Sequence, residues 1–442
     1  MVKVITYGTF DVLHEGHIRL LKRAKALGDY LIVGVTGDDY DLSRGKINNR
    51  QSVSDRIEAV RETGLADEII VEEYDGQKID DIRKYGADIF AIGSDWEGKF
   101  DYLRDYCKVV YLPRTEGVSS TEIRSKSRNL RLGVVGEVPF IKKYIRESTF
   151  VNGCRVSGAC SADGEFLRSL DVELKTDDYD KLLDCSDAVY VASHPSLHYE
   201  QIKKAIEKGK HVLCESPIAL SETDCAELFT LAEAKGVVLA DAIKTAYSTA
   251  YTRMLLLVKS GAIGKPVAVD ATCTSLTEIG SDPDYFRKNW NSSCAWGPTA
   301  LLPVFQILGT DYKDMRIASV FADESKTFDR FSKFDFTFDG AVATVKVGSG
   351  VKSEGELIVS GTNGYVYVPA PWWKTDYFEV RYENATENKR YFYQLNGEGI
   401  RYEIVAFVKA VENGKMTDCV SQGISREICK VVSKRERTEI KA

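Results

Sequence analysis

Histidine is scarce in this chain: there are five in 442 residues, and two of them, His14 and His17, stand three apart in "YGTFDVLHEGH", residues 7–17. Excess positive charge is missing as well. The formal net charge is -7, which argues against a nucleic-acid partner, because such proteins carry a basic face. Phosphates must then be met by local clusters. Eighteen apolar residues never run together, so no membrane insertion is expected. The chain runs from Met1 straight into the strand-like "VKVITYG" without a charged leader, and a cytoplasmic location is the expectation. Ten cysteines are present with no C-x-x-C pair. They read as reduced, mostly buried thiols, and no metal site is expected from them. Internal repeats and low-complexity segments are absent.

What is there is alternation of strand and helix patterns, twice over. The first series runs "KVITYG", "HIRLLKRAKALG", "YLIVGVTG", "SVSDRIEAVRETG", "EIIVEE", "DGQKIDDIRKYG", "DIFAIG" and "KVVYLP". Such β-α-β alternation, with helices closed by Gly28, Gly64 and Gly86, predicts a Rossmann-like parallel sheet covered on both faces. The pattern breaks in the basic stretch "RSKSRNLR". A second α/β series follows, from "LRLGVVGEVPF" to "GVVLADAI", and again predicts a buried parallel sheet. After Gly261 long alternating segments such as "FSKFDFTFDGAVATVKVGS" predict an open antiparallel sheet in an α+β domain. The length favours more than one core. The expected domains are 1–128, 130–250 and 251–442.

The opening stretch places a helix start, near Gly16, at the carboxyl end of the first parallel strand, where backbone amides and the helix dipole attract anions. His14 and His17 can turn both imidazoles to the same phosphates there, and Gly16 lets the backbone come close.

Together with "SDWEGKFDYL" (residues 94–103) and "YLPRTEGVSSTEIR" (residues 111–124), "GTFDVLHEGH" resembles the H-x-G-H nucleotidyltransferase superfamily, and within it the glycerol-3-phosphate cytidylyltransferases. The resemblance implies attack of a small phosphomonoester on the α-phosphorus of CTP. It assigns catalysis to His14, His17, Lys46 and Arg114. CTP would be held by those residues with Thr9, Phe10, Gly16, Asp95, Thr115, Gly117, Ser119, Ser120 and Thr121. Arg44, Lys46 and Lys78 are the candidates for the acceptor phosphate. Mg2+ is implied as a companion of CTP rather than of a protein cage. Glycerol 3-phosphate leads among polyol phosphates, and the CDP-polyol would feed cell-surface polysaccharide synthesis. Where some family members carry an arginine this chain has Gly64, with Arg61 one helical turn earlier.

Residues 131–442, most clearly "DAVYVASHPSLHYEQIKKAIEKGKHVLCESPIALSETDCAELFTLAEAKGVVLADA", resemble the glucose-fructose oxidoreductase and inositol dehydrogenase family. NAD(P) is the cofactor this implies, with Gly136, Ser161, His194, Glu215, Pro217 and Lys244 in the corresponding positions. Several positions depart from the pattern. Val138 and Ile141 replace glycine-rich turn positions, Ser216 stands in place of the lysine of E-K-P, and "CAWGPTALLPVFQILG" has neither the aspartate nor the histidine expected there. Lys244 and Tyr247 are the candidates to substitute for what is lost. Three readings stay open: an active reductase that makes the polyol phosphate, a degenerate binding module, and a dimerisation module. A homo-oligomer, in the first place a dimer, is the expected assembly.

Overall fold

The runs "KVITYG" and "YLIVGVT" are buried along most of their length, as strands in a doubly covered sheet are. They are β1 (Lys3–Gly8) and β2 (Tyr30–Thr36) of a parallel sheet completed by β3 (Glu68–Glu72), β4 (Ile89–Gly93) and β5 (Lys108–Leu112), in the order β3-β2-β1-β4-β5. The computed structural model describes residues 1–37, 51–74, 76–113, 130–151, 153–280, 283–393, 395–414 and 419–440. The chain divides into two compact units, Met1–Asn129 and Leu130–Ala442.

In the first unit, successive β1 side chains go to opposite faces. Val4 joins Leu21, Ala24, Val33 and Val60 on one side, while Ile5 joins Ile32, Ile82 and Phe90 on the other. Helices α1 (Glu15–Lys25) and α2 (Val53–Glu62) cover the first face, and α3 (Gln77–Tyr85) the second. Gly64 and Gly86 have the left-handed φ of a helix stop, +65° and +62°. Gly28 does not close α1, which ends at Lys25 with Ala26 as its cap. It is a packing glycine, since a Cβ there would lie 2.6 Å from the Val2 carbonyl oxygen.

The second unit begins with a parallel sheet of β6 (Leu130–Gly136), β7 (Cys154–Cys160), β8 (Leu174–Thr176), β9 (Ala188–Ala192), β10 (His211–Cys214) and β11 (Leu239–Asp241), ordered β11-β10-β9-β6-β7-β8. Its helices are α4 (Phe140–Ser148), α5 (Gly164–Arg168), α6 (Tyr179–Asp184), α7 (Pro195–Glu207) and α8 (Glu222–Lys235), followed by α9 (Thr249–Lys259). Then come β12 (Pro266–Ser275), α10 (Pro283–Lys288), α11 (Ser292–Leu308) and strands β13 (Asp314–Phe321), β14 (Asp329–Thr337), β15 (Val342–Ser349), β16 (Leu357–Gly361), β17 (Gly364–Val368), β18 (Tyr377–Arg381) and β19 (Lys389–Phe392). Helices α12 (Ile400–Asn413) and α13 (Gln422–Val432) and the short β20 (Thr438–Glu439) finish it.

The large sheet, β19-β18-β17-β16-β12-β15-β14-β13-β20, is mixed rather than purely antiparallel. β12 pairs in parallel with β15, and β13 with β20. The first of these follows from connectivity. Between β12 and β15 the chain inserts α11, which packs on β12, β14 and β15, and a helical crossover returns the chain in the same direction. Helix α11 carries Pro298 and Pro303 inside it. Nearly its whole length is buried, so tertiary packing overrides the propensity cost. No helix among the described residues is long and apolar enough to cross a membrane.

Gly136 is forced by packing: at φ +136°, a Cβ would stand 2.2 Å from the Ala192 carbonyl oxygen at the end of β9. Gly136→Ala should therefore destabilise the second unit by at least about 2 kcal/mol, read as a lowered denaturant midpoint for that unit's transition.

Candidate active site

In the first sheet the strand order reverses between β1 and β4, so the loops leaving their carboxyl ends part and open a crevice. The loop after β1 runs into α1, with His14 as its N-cap: Nδ1 accepts from the Gly16 amide at 3.1 Å. A neutral His14 thus carries its proton on Nε2. His17 stacks on His14, ring centroids 3.9 Å apart and planes at 25°, and Phe10 meets His17 edge-on at 5.5 Å. Both imidazoles are half-buried. The helix start expected near Gly16 lies at Glu15, and the cap is one of the two histidines themselves.

The loop is held under strain. Phe10 and Val12 have φ of +54° and +46°, a region costly for bulky and β-branched residues. What holds it is a set of residues that sequence reasoning missed. Arg56, fully buried on α2, donates through Nη1 to the carbonyls of Thr9 (2.7 Å) and Thr36 (2.8 Å) and through Nε to that of Gln51 (3.2 Å). Gln51 in turn accepts from the Val12 amide at 2.8 Å and donates its own amide to Asp11 at 3.1 Å. A signal was present in the sequence, since Arg56 falls on the same helical face as Val53, Ile57 and Val60.

Ser94–Trp96, a single 3-10 turn, leaves β4 on the other side of the crevice; Asp95 belongs to it, and its side chain lies outside the description. Arg44, Lys46, Arg114, Thr115, Gly117, Ser119, Ser120 and Thr121 lie outside the described residues. Lys78 is described and is buried. Its ammonium pairs with Glu72 and sits 4.7 Å from the Tyr7 ring and 5.5 Å from that of Phe100, so an acceptor phosphate would compete with a carboxylate for it. Arg61 is exposed and pairs with Glu58.

In the second unit the strand order reverses between β6 and β9. The turn there is residues 137–139, whose members are Glu137, Val138 and Pro139. Pro139 has no N–H to offer, and exposed Glu137 brings a carboxylate to the place of a pyrophosphate. Ser161 lies against it, 3.4 Å from Glu137 Oε1, and accepts the Asp163 amide at 3.0 Å. His194 caps α7 and bonds Ser196. His198 is a core brace: its ring nitrogens lie 2.9 Å from the carbonyl oxygens of Pro217 and Ser193, and burial lowers its pKa to about 4. Tyr247 donates to the Asp241 carbonyl at 2.9 Å.

Behind the turn lies a buried acid cluster. Glu215 accepts from Tyr190, and burial raises its pKa. Glu403 is pushed well above the usual carboxylate range by burial and by Glu215, and Asp241 up to about 7 by burial. Lys244 faces them with its pKa lowered by burial; its ammonium stands 4.6 Å over Phe140 and 3.9 Å from Glu398. Lys143 and Lys374 also reach Glu398, at 2.6 and 2.9 Å. The residues at the turn do not fit a dinucleotide's pyrophosphate.

Comparison with known proteins matches residues 5–126 to the cytidylyltransferase-like family model, and residues 130–242 to that of the oxidoreductase family with an NAD-binding Rossmann fold. A glycerol-3-phosphate cytidylyltransferase of Bacillus spizizenii is 50% identical over 130 residues, 29% of this chain and 100% of that one. One from Staphylococcus aureus is 46% identical over 132 residues, 28% of this chain and 95% of that one. A Bacillus subtilis scyllo-inositol 2-dehydrogenase (NADP+) is 31% identical over 124 residues, 27% of this chain and 38% of that one. In fold, a 3-ketoreductase of Actinomadura kijaniata, solved with NADP and TDP-benzene, aligns with a TM-score of 0.63 at 19% identity, over 71% of this chain and 99% of that one. The α/β assignment with a separate α+β sheet domain holds.

The raised pKa of Asp241 means that the folded protein binds its proton more tightly than the unfolded chain. Its contribution is fully present below about pH 4 and declines as pH rises to about 7. Asp241→Asn, which mimics the protonated form, should match the wild type at pH 4 and exceed it at pH 8, by up to about 4 kcal/mol. Melting curves of both proteins across that range check it.

Proposed function

The chain belongs, through its first unit, to the cytidylyltransferase-like family of nucleotidyltransferases, and on that premise we propose that it transfers CMP from CTP to a polyol phosphate, glycerol 3-phosphate first among them. An oxygen of the acceptor phosphate bonds to the α-phosphorus, the bond to the bridging oxygen of the β-phosphate breaks, and pyrophosphate leaves beside a CDP-polyol. The observation that carries the reading is the stacked His14–His17 pair at the start of α1, in the crevice where β1 and β4 part.

That chemistry needs no side-chain nucleophile, only alignment and donors aimed where charge develops. His14 and His17 donate to the triphosphate, and the loop with Thr9, Phe10 and Gly16 lets it approach. Arg56 keeps that loop in shape without touching substrate. Lys46 and Arg114 neutralise the phosphates that gain charge, and the amides and hydroxyls of Thr115, Gly117, Ser119, Ser120 and Thr121 take the outer phosphates. Asp95 accepts from the cytosine amino group. Arg44, Lys46 and Lys78 receive the acceptor. Mg2+ travelling with CTP would supply charge neutralisation on the outer phosphates. The protein acts in the cytoplasm, as a homodimer, with domain limits 1–128, 130–250 and 251–442.

For the second unit we favour a binding module on an oxidoreductase fold. Glu137, Val138 and Pro139 at the turn, Ser216 in place of a lysine, and the uncharged stretch Ser293 to Gly309 support it. The rival is an active reductase, and Lys244, buried beside Glu215, is the feature in its favour.

His17→Ala should lower kcat roughly a hundred- to a thousandfold with little change in CTP affinity, since a donor to charge formed in the transition state acts on the rate. Steady-state kinetics with glycerol 3-phosphate test this, and a near-normal kcat with only a raised KM refutes the role. For the second unit, calorimetry should find NADH and NADPH binding no tighter than about 100 µM. Tight binding with oxidation of NADPH by ribulose 5-phosphate or dihydroxyacetone phosphate would establish the reductase.

A further inference from the structure

The second unit holds a cavity of about 590 Å3 whose lining includes His194, at the start of α7, but neither Gly136 nor Ser161. Its size is that of a small-molecule site. Aromatic rings form part of its wall: Phe286 and Phe328, centroids 5.0 Å apart, and Trp290, which meets the buried His198 ring edge-on at 5.8 Å. The rest of the wall is largely neutral but carries four cations, Lys326, Lys434, Arg435 and Arg437, and among the described residues no aspartate or glutamate lines it.

The cations differ in how they are engaged. Arg437, only 8% exposed, is spent on Asp329, Ser293 and the carbonyls of Val432 and Lys434. Lys326 pairs with Glu439 at 2.8 Å. Lys434 has only a distant contact with exposed Glu436, at 3.9 Å, and Arg435 forms no ion pair among the described residues. Arg437 therefore pins the segment that presents two neighbouring, weakly engaged positive charges to the cavity. Aromatic rings beside two such charges are the complement of a nucleobase joined to a diphosphate.

We propose that this cavity binds a nucleoside diphosphate ester, specifically the CDP-polyol of the first unit's reaction, with cytosine on Trp290 and Phe286 and the diphosphate on Lys434 and Arg435. The choice of cytosine rests on the cytidylyltransferase reading above; the diphosphate chemistry rests on the cavity alone. A chain that makes the ester in one unit would hold it again in the other.

The probe is CDP-glycerol, titrated by calorimetry into the full-length protein and into Lys434→Ala/Arg435→Ala. The wild type should bind one equivalent more than the double variant, or bind that equivalent at least about tenfold more tightly, while both transfer CMP at the same rate. Trp290→Ala should lose the same equivalent, which guards against a purely charge-driven effect. Equal stoichiometry and affinity in wild type and double variant overturn the proposal. So does displacement of the extra equivalent by equimolar NADPH, which would make the cavity a dinucleotide site. If the extra equivalent is present but no CMP transfer occurs, the site stands and the reading of the first unit fails.

Discussion

Both units depend on one geometric constraint, the point at which a parallel sheet stops adding strands on one side and starts on the other. All strands of such a sheet end on the same edge, and only where the order reverses do the following loops separate enough to admit a ligand. In the first unit this falls between β1 and β4, in the second between β6 and β9. The fold thus offers the same kind of opening twice, and the side chains at each decide what use is made of it.

At the first opening the side chains agree with the geometry. Two stacked imidazoles, a helix start and a loop braced by a buried guanidinium all face one place. The positive φ of Phe10 and Val12 would relax in a free peptide. Arg56 and Gln51 hold the loop there through hydrogen bonds to its backbone carbonyls and amides. At the second opening the side chains oppose the geometry, with a carboxylate and a proline where amides should converge.

How much of this was legible beforehand depends on the range of the interaction. Local matters were readable: strands from short β-branched runs, the helix after "LHEGH", the glycine stops at Gly64 and Gly86. The two histidines could be placed at the start of the first helix because a helix start after a first strand is a local pattern. Arg56 was passed over because an arginine is ordinarily solvated, and its burial is a decision of tertiary structure. The parallel pairing of β12 with β15 joins segments more than seventy residues apart. Helix α11 was not anticipated because Pro298 and Pro303 argue locally against a helix that the surrounding core insists on. The cavity beside Trp290 gathers residues from five separate stretches, and no periodicity announces it.

Gly136 carries a wider consequence. Its place at the end of β6 is demanded by the Ala192 carbonyl oxygen, which leaves no room for a methyl group whatever lies beyond the strand. A residue pinned by its neighbour in the sheet outlives the purpose for which the turn is usually read. In lineages that kept this scaffold and gave up its coenzyme, such a glycine would persist like a keystone in a disused arch, and genome surveys that count it as half of a fingerprint would go on reporting redox enzymes where the redox chemistry has gone.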